Sequence, residues 1–86
     1  MMNKVLISLY VPMFDKTYDV FIPVNEIMWK INKLIVKNIY DLNDECFDLK
    51  KNFILINVET GQIYSNNEVV INTDIRNYTK MALLEI

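Results

Sequence analysis

The chain has 86 residues, 52% of them hydrophobic, with one cysteine, no histidine and a formal net charge of -2. That length supports one hydrophobic core and predicts a single domain over residues 1-86, with no room for a second. The lone Cys46 rules out an intramolecular disulfide or a CxxC pair, and the scattered cations leave no broad positive footprint for nucleic acid.

Lys4 followed by the apolar run Val5 to Val11 has the outline of a short signal-peptide core. Pro12-Met13-Phe14-Asp15-Lys16 then stands where a cleavage site needs small residues, and the run is too short to cross a bilayer. Its β-branched and aromatic residues predict a first strand of a soluble protein. Pro12 to Thr17 reads as a hairpin loop, and Tyr18 to Ile22 as an antiparallel second strand closed by Pro23. From Asn25 the period becomes helical, with Ile27, Ile31, Leu34, Ile35 and Ile39 on one side and Lys30, Lys33 and Lys37 on a solvated face. Asn25 is the expected N-cap, Glu26 favours the first turn, and Val24 and Trp29 are spaced as a hydrophobic staple. Asp41 to Asn52 reads as a loop anchored by Leu42, Phe47 and Leu49. Phe53 to Val58 is a third strand, Glu59-Thr60-Gly61-Gln62 a turn needing positive φ at the one glycine, and Ile63-Tyr64 a short fourth strand. After a turn at Ser65 to Glu68, Val69-Val70-Ile71 and the polar stretch beyond it lead to a last strand, Lys80 to Ile86.

An enzyme needs a nucleophile, a base and a charge stabiliser in one pocket. Without histidine, and with one unsupported cysteine, the usual acyl- and phosphoryl-transfer arrangements are absent, so no catalytic residue and no cofactor is expected. Asp41, Asp44, Glu45 and Asp48 cluster in sequence, but they lack the glycine and ligand spacing of a calcium loop and predict no metal site.

Strand alternation is more informative. With Val5, Ile7, Leu9, Val11, Tyr18, Val20, Ile22, Met81 and Leu83 turned to the helix, Leu6, Ser8, Tyr10, Asp19, Phe21, Lys80, Ala82, Leu84 and Ile86 face away. A sheet covered by one helix should be polar on its outer face. This one offers Leu6, Phe21, Ala82 and Leu84 there, with one apolar set from the third strand, and contiguous exposed apolar surface marks protein-protein sites. The alternatives are shielding of these residues by Lys4 and Lys80, or a third strand that is simply buried.

The span from Phe53 to Ile86, with its Thr60-Gly61-Gln62 hairpin, Val69-Val70-Ile71 and Asp74-Ile75 before a polar turn, resembles the C-terminal half of ubiquitin. The Tyr18-Asp19-Val20-Phe21-Ile22-Pro23-Val24 entry into the helix and the stop at Ile86 most resemble the EsaB/YukD family, small cytosolic proteins of type VII (Ess-type) secretion systems of Gram-positive bacteria. The resemblance implies an α+β, ubiquitin-like β-grasp fold: a mixed sheet of four to five strands with one main helix across one face. It also implies a non-enzymatic, cytoplasmic accessory or regulatory role. The partner would be a protein, such as a membrane-anchored FtsK/SpoIIIE-type ATPase, with no nucleic acid bound and no direct membrane insertion. Ubiquitin's recognition face lies on the same side of the sheet. Leu84 matches one of its apolar members, and the third-strand member falls on Asn57 or Val58. The candidate protein-binding set is therefore Leu6, Phe21, Val58, Ala82 and Leu84. Two departures stand out: a long Asp41 to Asn52 loop, and no glycine-rich tail after Ile86. A β-grasp sulfur carrier or protein modifier needs a C-terminal Gly-Gly and is disfavoured on that ground. A structural module that homodimerises through the apolar face remains the other alternative.

Overall fold

Two runs of alternating apolar residues pair into a long hairpin, β1 (Lys4–Val11) and β2 (Lys16–Pro23), in the computed structural model, which describes residues 3–43 and 51–86. The loop between them is closed by the amides of Phe14 and Asp15, which donate to the carbonyls of Val11 and Pro12, with Asp15 at φ 50°. The helix α1 (Met28–Asn43) crosses one face, and β3 (Phe53–Asn57) and β4 (Lys80–Glu85) complete a sheet of order β2-β1-β4-β3. β4 runs parallel to β1 and antiparallel to β3, so the sheet is mixed, as the order of hairpin, crossover helix and returning strand requires. This is the α+β β-grasp architecture expected from the element order.

The core lies between sheet and helix. Ile7, Leu9, Val11 and Ile22 of the hairpin, Met28, Ile31, Ile35 and Ile39 of the helix, Leu55 of β3, and Met81 and Leu83 of β4 are buried, as are Val70 and Ile75 of the connection before β4. Val5, Tyr18 and Val20 pack against this cluster while half-exposed.

Several expectations are corrected. The helix begins at Met28, one turn after Asn25, so Asn25 is not its N-cap. The backbone ahead of Met28 is already engaged elsewhere: Ile27 bridges Val69, Val70 N–H donates to the Glu26 carbonyl, and Ile71 N–H donates to the Val24 carbonyl. The first helical amides are satisfied from a distance, Met28 by the Glu68 carbonyl at 2.8 Å and Trp29 by the Asn66 carbonyl at 3.2 Å. With the start moved, Val24 and Trp29 no longer occupy staple positions; Trp29 is exposed, with the Lys30 and Lys33 ammonium groups 5.6 and 5.3 Å from its ring centroid. Leu34 is also exposed, because it sits about 60° around the helix from Ile31, on the side away from half-buried Val36.

Asp41, Leu42 and Asn43 extend the helix instead of opening a loop, and Leu42 is 67% exposed. Asp44 to Lys50, including Cys46, Phe47 and Leu49, lie outside the described residues. β3 stops at Asn57, and the expected Ile63-Tyr64 strand reduces to one bridge between Ile63 and Ile56. Val70–Asn72 forms a turn of 3-10 helix. Gly61 has φ 76°, the left-handed geometry expected at that turn.

Candidate functional site

The outer face of the sheet is set out by register. Leu6 of β1 stands opposite Phe21 of β2, Ser8 opposite Asp19 on one side and Lys80 on the other, and Tyr10 opposite Ala82. On β4, Ala82 stands opposite Ile56 and Leu84 opposite Ile54. Residues directly opposite in such ladders have their β-carbons within about 5.5 Å, so each row is a line of neighbours.

The candidate residues therefore fall into two groups. Leu6 and Phe21 form one corner, joined by Tyr78, whose amide donates to the Leu6 carbonyl at 2.6 Å; Phe21 is 54% exposed and Tyr78 75%. Tyr78 holds φ 69°, unusual for a residue with a side chain, and this turn carries its ring into solvent. Ala82 and Leu84 belong to the other half of the face, with Ile54 and Ile56 of β3 beside them. Val58, just past the end of β3, donates its amide to the Lys80 carbonyl at 2.9 Å and leaves its side chain 54% exposed. The polar row Asp19, Ser8, Lys80 runs between the two groups.

Ala82 is on the outer face but only 5% exposed, so it makes a floor between Tyr10 and Ile56 and offers little surface of its own. Of the two third-strand positions, Asn57 is turned inward and buried, and Val58 is exposed. Ile54, Ile56 and Tyr10 are members of the face absent from the candidate set. Ile54 and Ile56 were hidden because Phe53 to Val58 is apolar at nearly every position, and the sign that fixes its phase is Asn57, the polar residue turned inward.

Tyr10 is fixed at the margin of the face. Its Oη donates to Asp15 Oδ1 at 2.8 Å, and that hydrogen bond, followed by desolvation and the carboxylate charge, raises the Tyr10 phenol above its ordinary value. At the same end, Val11, Pro12, Met13, Phe53, Leu83 and Leu84 line a shallow groove of about 440 Å³.

The buried polar groups serve structure. Asn57 Oδ1 accepts the amides of Glu59 and Thr60 at 2.9 and 3.2 Å, its Nδ2 donates to Tyr64 Oη at 3.2 Å, and Tyr64 Oη donates to Asp74. Among the described residues no group of His, Cys, Asp and Glu is arranged to hold a metal, and every buried side-chain polar atom has a partner. No described helix is long and apolar enough to cross a membrane.

No family model matches the chain, and no curated protein matches it in sequence. Solved structures do. The N-terminal ubiquitin-like domain of the 4931431F19Rik protein matches with a TM-score of 0.70 at 17% identity, over 98% of this chain and 76% of that one. The ubiquitin-like domain of the Mycobacterium tuberculosis type VII secretion system protein EccD1 matches with a TM-score of 0.73 at 9% identity, over 96% of this chain and 99% of that one. A chain of the toluene 4 monooxygenase HD complex matches with a TM-score of 0.77 at 5% identity, over 96% of this chain and 99% of that one. These likenesses establish the ubiquitin-like β-grasp fold. They come from proteins of different activities, so the fold alone does not choose among them.

Proposed function

We propose that this chain is a non-enzymatic ubiquitin-like adaptor that docks on another protein through the outer face of its sheet, as an accessory component of a type VII (Ess-type) secretion system of the EsaB/YukD kind, acting in the cytoplasm. One observation carries the binding reading: among the described residues, an antiparallel-edged sheet has its helix on one side and keeps Leu6, Phe21, Ile54, Ile56, Val58 and Leu84 on the other, where solvent would otherwise select polar residues. The aromatic side chain of Phe21 stands largely in solvent there, and aromatic anchors are enriched at protein interfaces. The secretion reading is supported by the sequence resemblance and by the occurrence of the same fold in the EccD1 domain.

The partner proposed is a membrane-anchored component of that system, such as an FtsK/SpoIIIE-type ATPase. The test is affinity capture from the native cell with wild type and Leu84→Asp side by side, with proteins identified by mass spectrometry. The wild type is expected to recover a membrane-anchored secretion component, and Leu84→Asp to lose it while keeping its circular dichroism and thermal transition. Undiminished capture by the folded variant removes this face, and capture of no secretion component removes the pathway.

A further inference from the structure

We infer that Trp29 and Lys33, on the exposed surface of the helix, form a second docking site, which takes one Asp or Glu side chain of a partner protein presented beside an apolar residue. The order of charges carries this. From the approach to α1 to its last turn they run Glu26, Lys30, Lys33, Lys37, Asp41, one cation in excess. Both ends are satisfied within the chain: Lys30 Nζ lies 3.8 Å from Glu26 Oε1, and Lys37 Nζ lies 3.5 Å from Asp41 Oδ2. Lys33, between them, has no carboxylate within ion-pair distance among the described residues. Its charged neighbours on the helix surface are Lys30 one turn before and Lys37 one turn after, like charges that oppose it.

Trp29 gathers this excess. The Lys33 ammonium stands 5.3 Å from the centroid of its ring and the Lys30 ammonium 5.6 Å. The negative face of the indole attracts each cation but leaves their mutual repulsion in place, and a carboxylate set against Lys33 would cancel it. The indole N–H is a donor without an acceptor among the described residues, so the same carboxylate finds a second donor close by.

The site is held in position before anything binds. The Trp29 amide donates to the Asn66 carbonyl at 3.2 Å, and one turn on, Asn32 Nδ2 donates to the Phe53 carbonyl at 3.0 Å, so this stretch of helix is tied to the body at two points. Beside it lies a groove of about 360 Å³, bounded in part by Trp29, Asn32, Lys33, Val36 and Asn66. Phe53, which the groove also reaches, is already engaged and is not needed. Trp29 is 41% exposed and Val36 half-buried, so a residue flanking the bound carboxylate would rest on apolar side chains.

The charges also choose the occupant. A nucleic-acid strand repeats its charge at every step, and Glu26 and Asp41 would meet it at both ends of the lysine row of a chain whose net charge is -2. A phosphate group calls for several converging donors, best an Arg fork, where this surface has one unpaired ammonium. One carboxylate with uncharged neighbours matches one excess cation bracketed by anions. The helix covers the face of the sheet opposite Leu84, so this contact is independent of the docking proposed above and can be made at the same time.

The test pans a phage-displayed library of random linear heptapeptides against the folded protein. The best synthetic peptide and its glutamine-substituted twin are then titrated while the emission of Trp29, the chain's single tryptophan, and the NMR amide shifts are followed. Enriched peptides are expected to share one Asp or Glu beside an apolar residue, to shift the emission to the blue, and to move the amides of Trp29, Lys33 and Val36. The glutamine twin should bind about fivefold more weakly, with the gap closing as salt is added. Lys33→Glu gives Lys37 a partner one turn before it, so it should keep the fold, reject the acidic peptide and accept its lysine-substituted twin. Lys33→Arg should keep binding. Failure to enrich any peptide, equal binding of the glutamine twin, indifference to Lys33→Glu, tighter binding of a single-stranded oligodeoxythymidylate, or shifts centred on Ile56 and Leu84 would each overturn the inference. Leu84→Asp should leave peptide binding unchanged, so failure of this site and failure of the sheet-face reading are told apart.

Discussion

At Tyr64 a single phenol oxygen joins two stretches of chain that, among the described residues, share no other side-chain bond. It takes a hydrogen bond from Asn57 Nδ2, which belongs to the turn after β3, and gives one to Asp74, which precedes β4. Burial, and then the Asp74 hydrogen bond, push the Tyr64 phenol up to about 12, against an ordinary value near 10. The folded state therefore favours the neutral phenol, and its contribution to stability is whole below about pH 10 and is lost as pH rises toward 12. Tyr64→Phe is expected to cost roughly 1–3 kcal/mol at neutral pH in urea unfolding, because Asn57 Nδ2 is left buried without an acceptor. The deficit should shrink between pH 10 and 11.5, and a deficit independent of pH would show that the hydroxyl does not carry it. Position 61 shows what local sequence reveals well: a positive φ at the sole glycine follows from the steric rules of one residue, with no help from the rest of the molecule. The Tyr64 network was not legible, because nothing in a Tyr ten residues from an Asp states that a turn will bring them together.

The helix shows both how far periodicity reads and where it stops. Ile31, Ile35 and Ile39 at fourfold spacing are each fully buried, as the pattern predicts, while Leu34, equally apolar, is 42% exposed. Ile35→Ala is expected to lower unfolding free energy by about 2–4 kcal/mol, through lost burial and the cavity left behind, and Leu34→Ala by less than about 0.5 kcal/mol. Urea denaturation of the two variants decides it, and equal losses would contradict the packing described. The start of the helix was misread because Asn25 and Glu26 are good capping residues taken locally. The backbone of Glu26 and of the flanking Val24 and Ile27 is claimed by Val70, Ile71 and Val69, more than forty residues later, and such a claim leaves no mark near Asn25. The same separation reduced Ile63-Tyr64 to a bridge, since a strand needs a free ladder and Asn57 had already turned its amide and carbonyl into the loop at Gly61 and Gln62.

Over the whole molecule, alternation located the outer face correctly but said nothing about depth. Ala82 faces outward and is nearly closed over, being the smallest residue in a row that includes Tyr10 and Ile56. Nor did it reveal that the face is divided, since the row Asp19, Ser8, Lys80 exists only once three strands are set in register. Lys80→Leu would fuse the two apolar corners into one patch. The variant is expected to self-associate with rising concentration in sedimentation velocity where the wild type stays smaller, and identical profiles would show that the polar row does not keep the corners apart. The central position of β1, between its hairpin partner and the late strand β4, carries a consequence for birth on the ribosome. While synthesis has not passed Lys80, the emerging hairpin keeps a raw flank, and until Asn66 to Glu68 clear the exit tunnel the helix lacks the acceptors for its first amides. The nascent chain can gather its earlier pieces first but must wait for β4 before the sheet shuts, so in that interval its protection falls to chaperones.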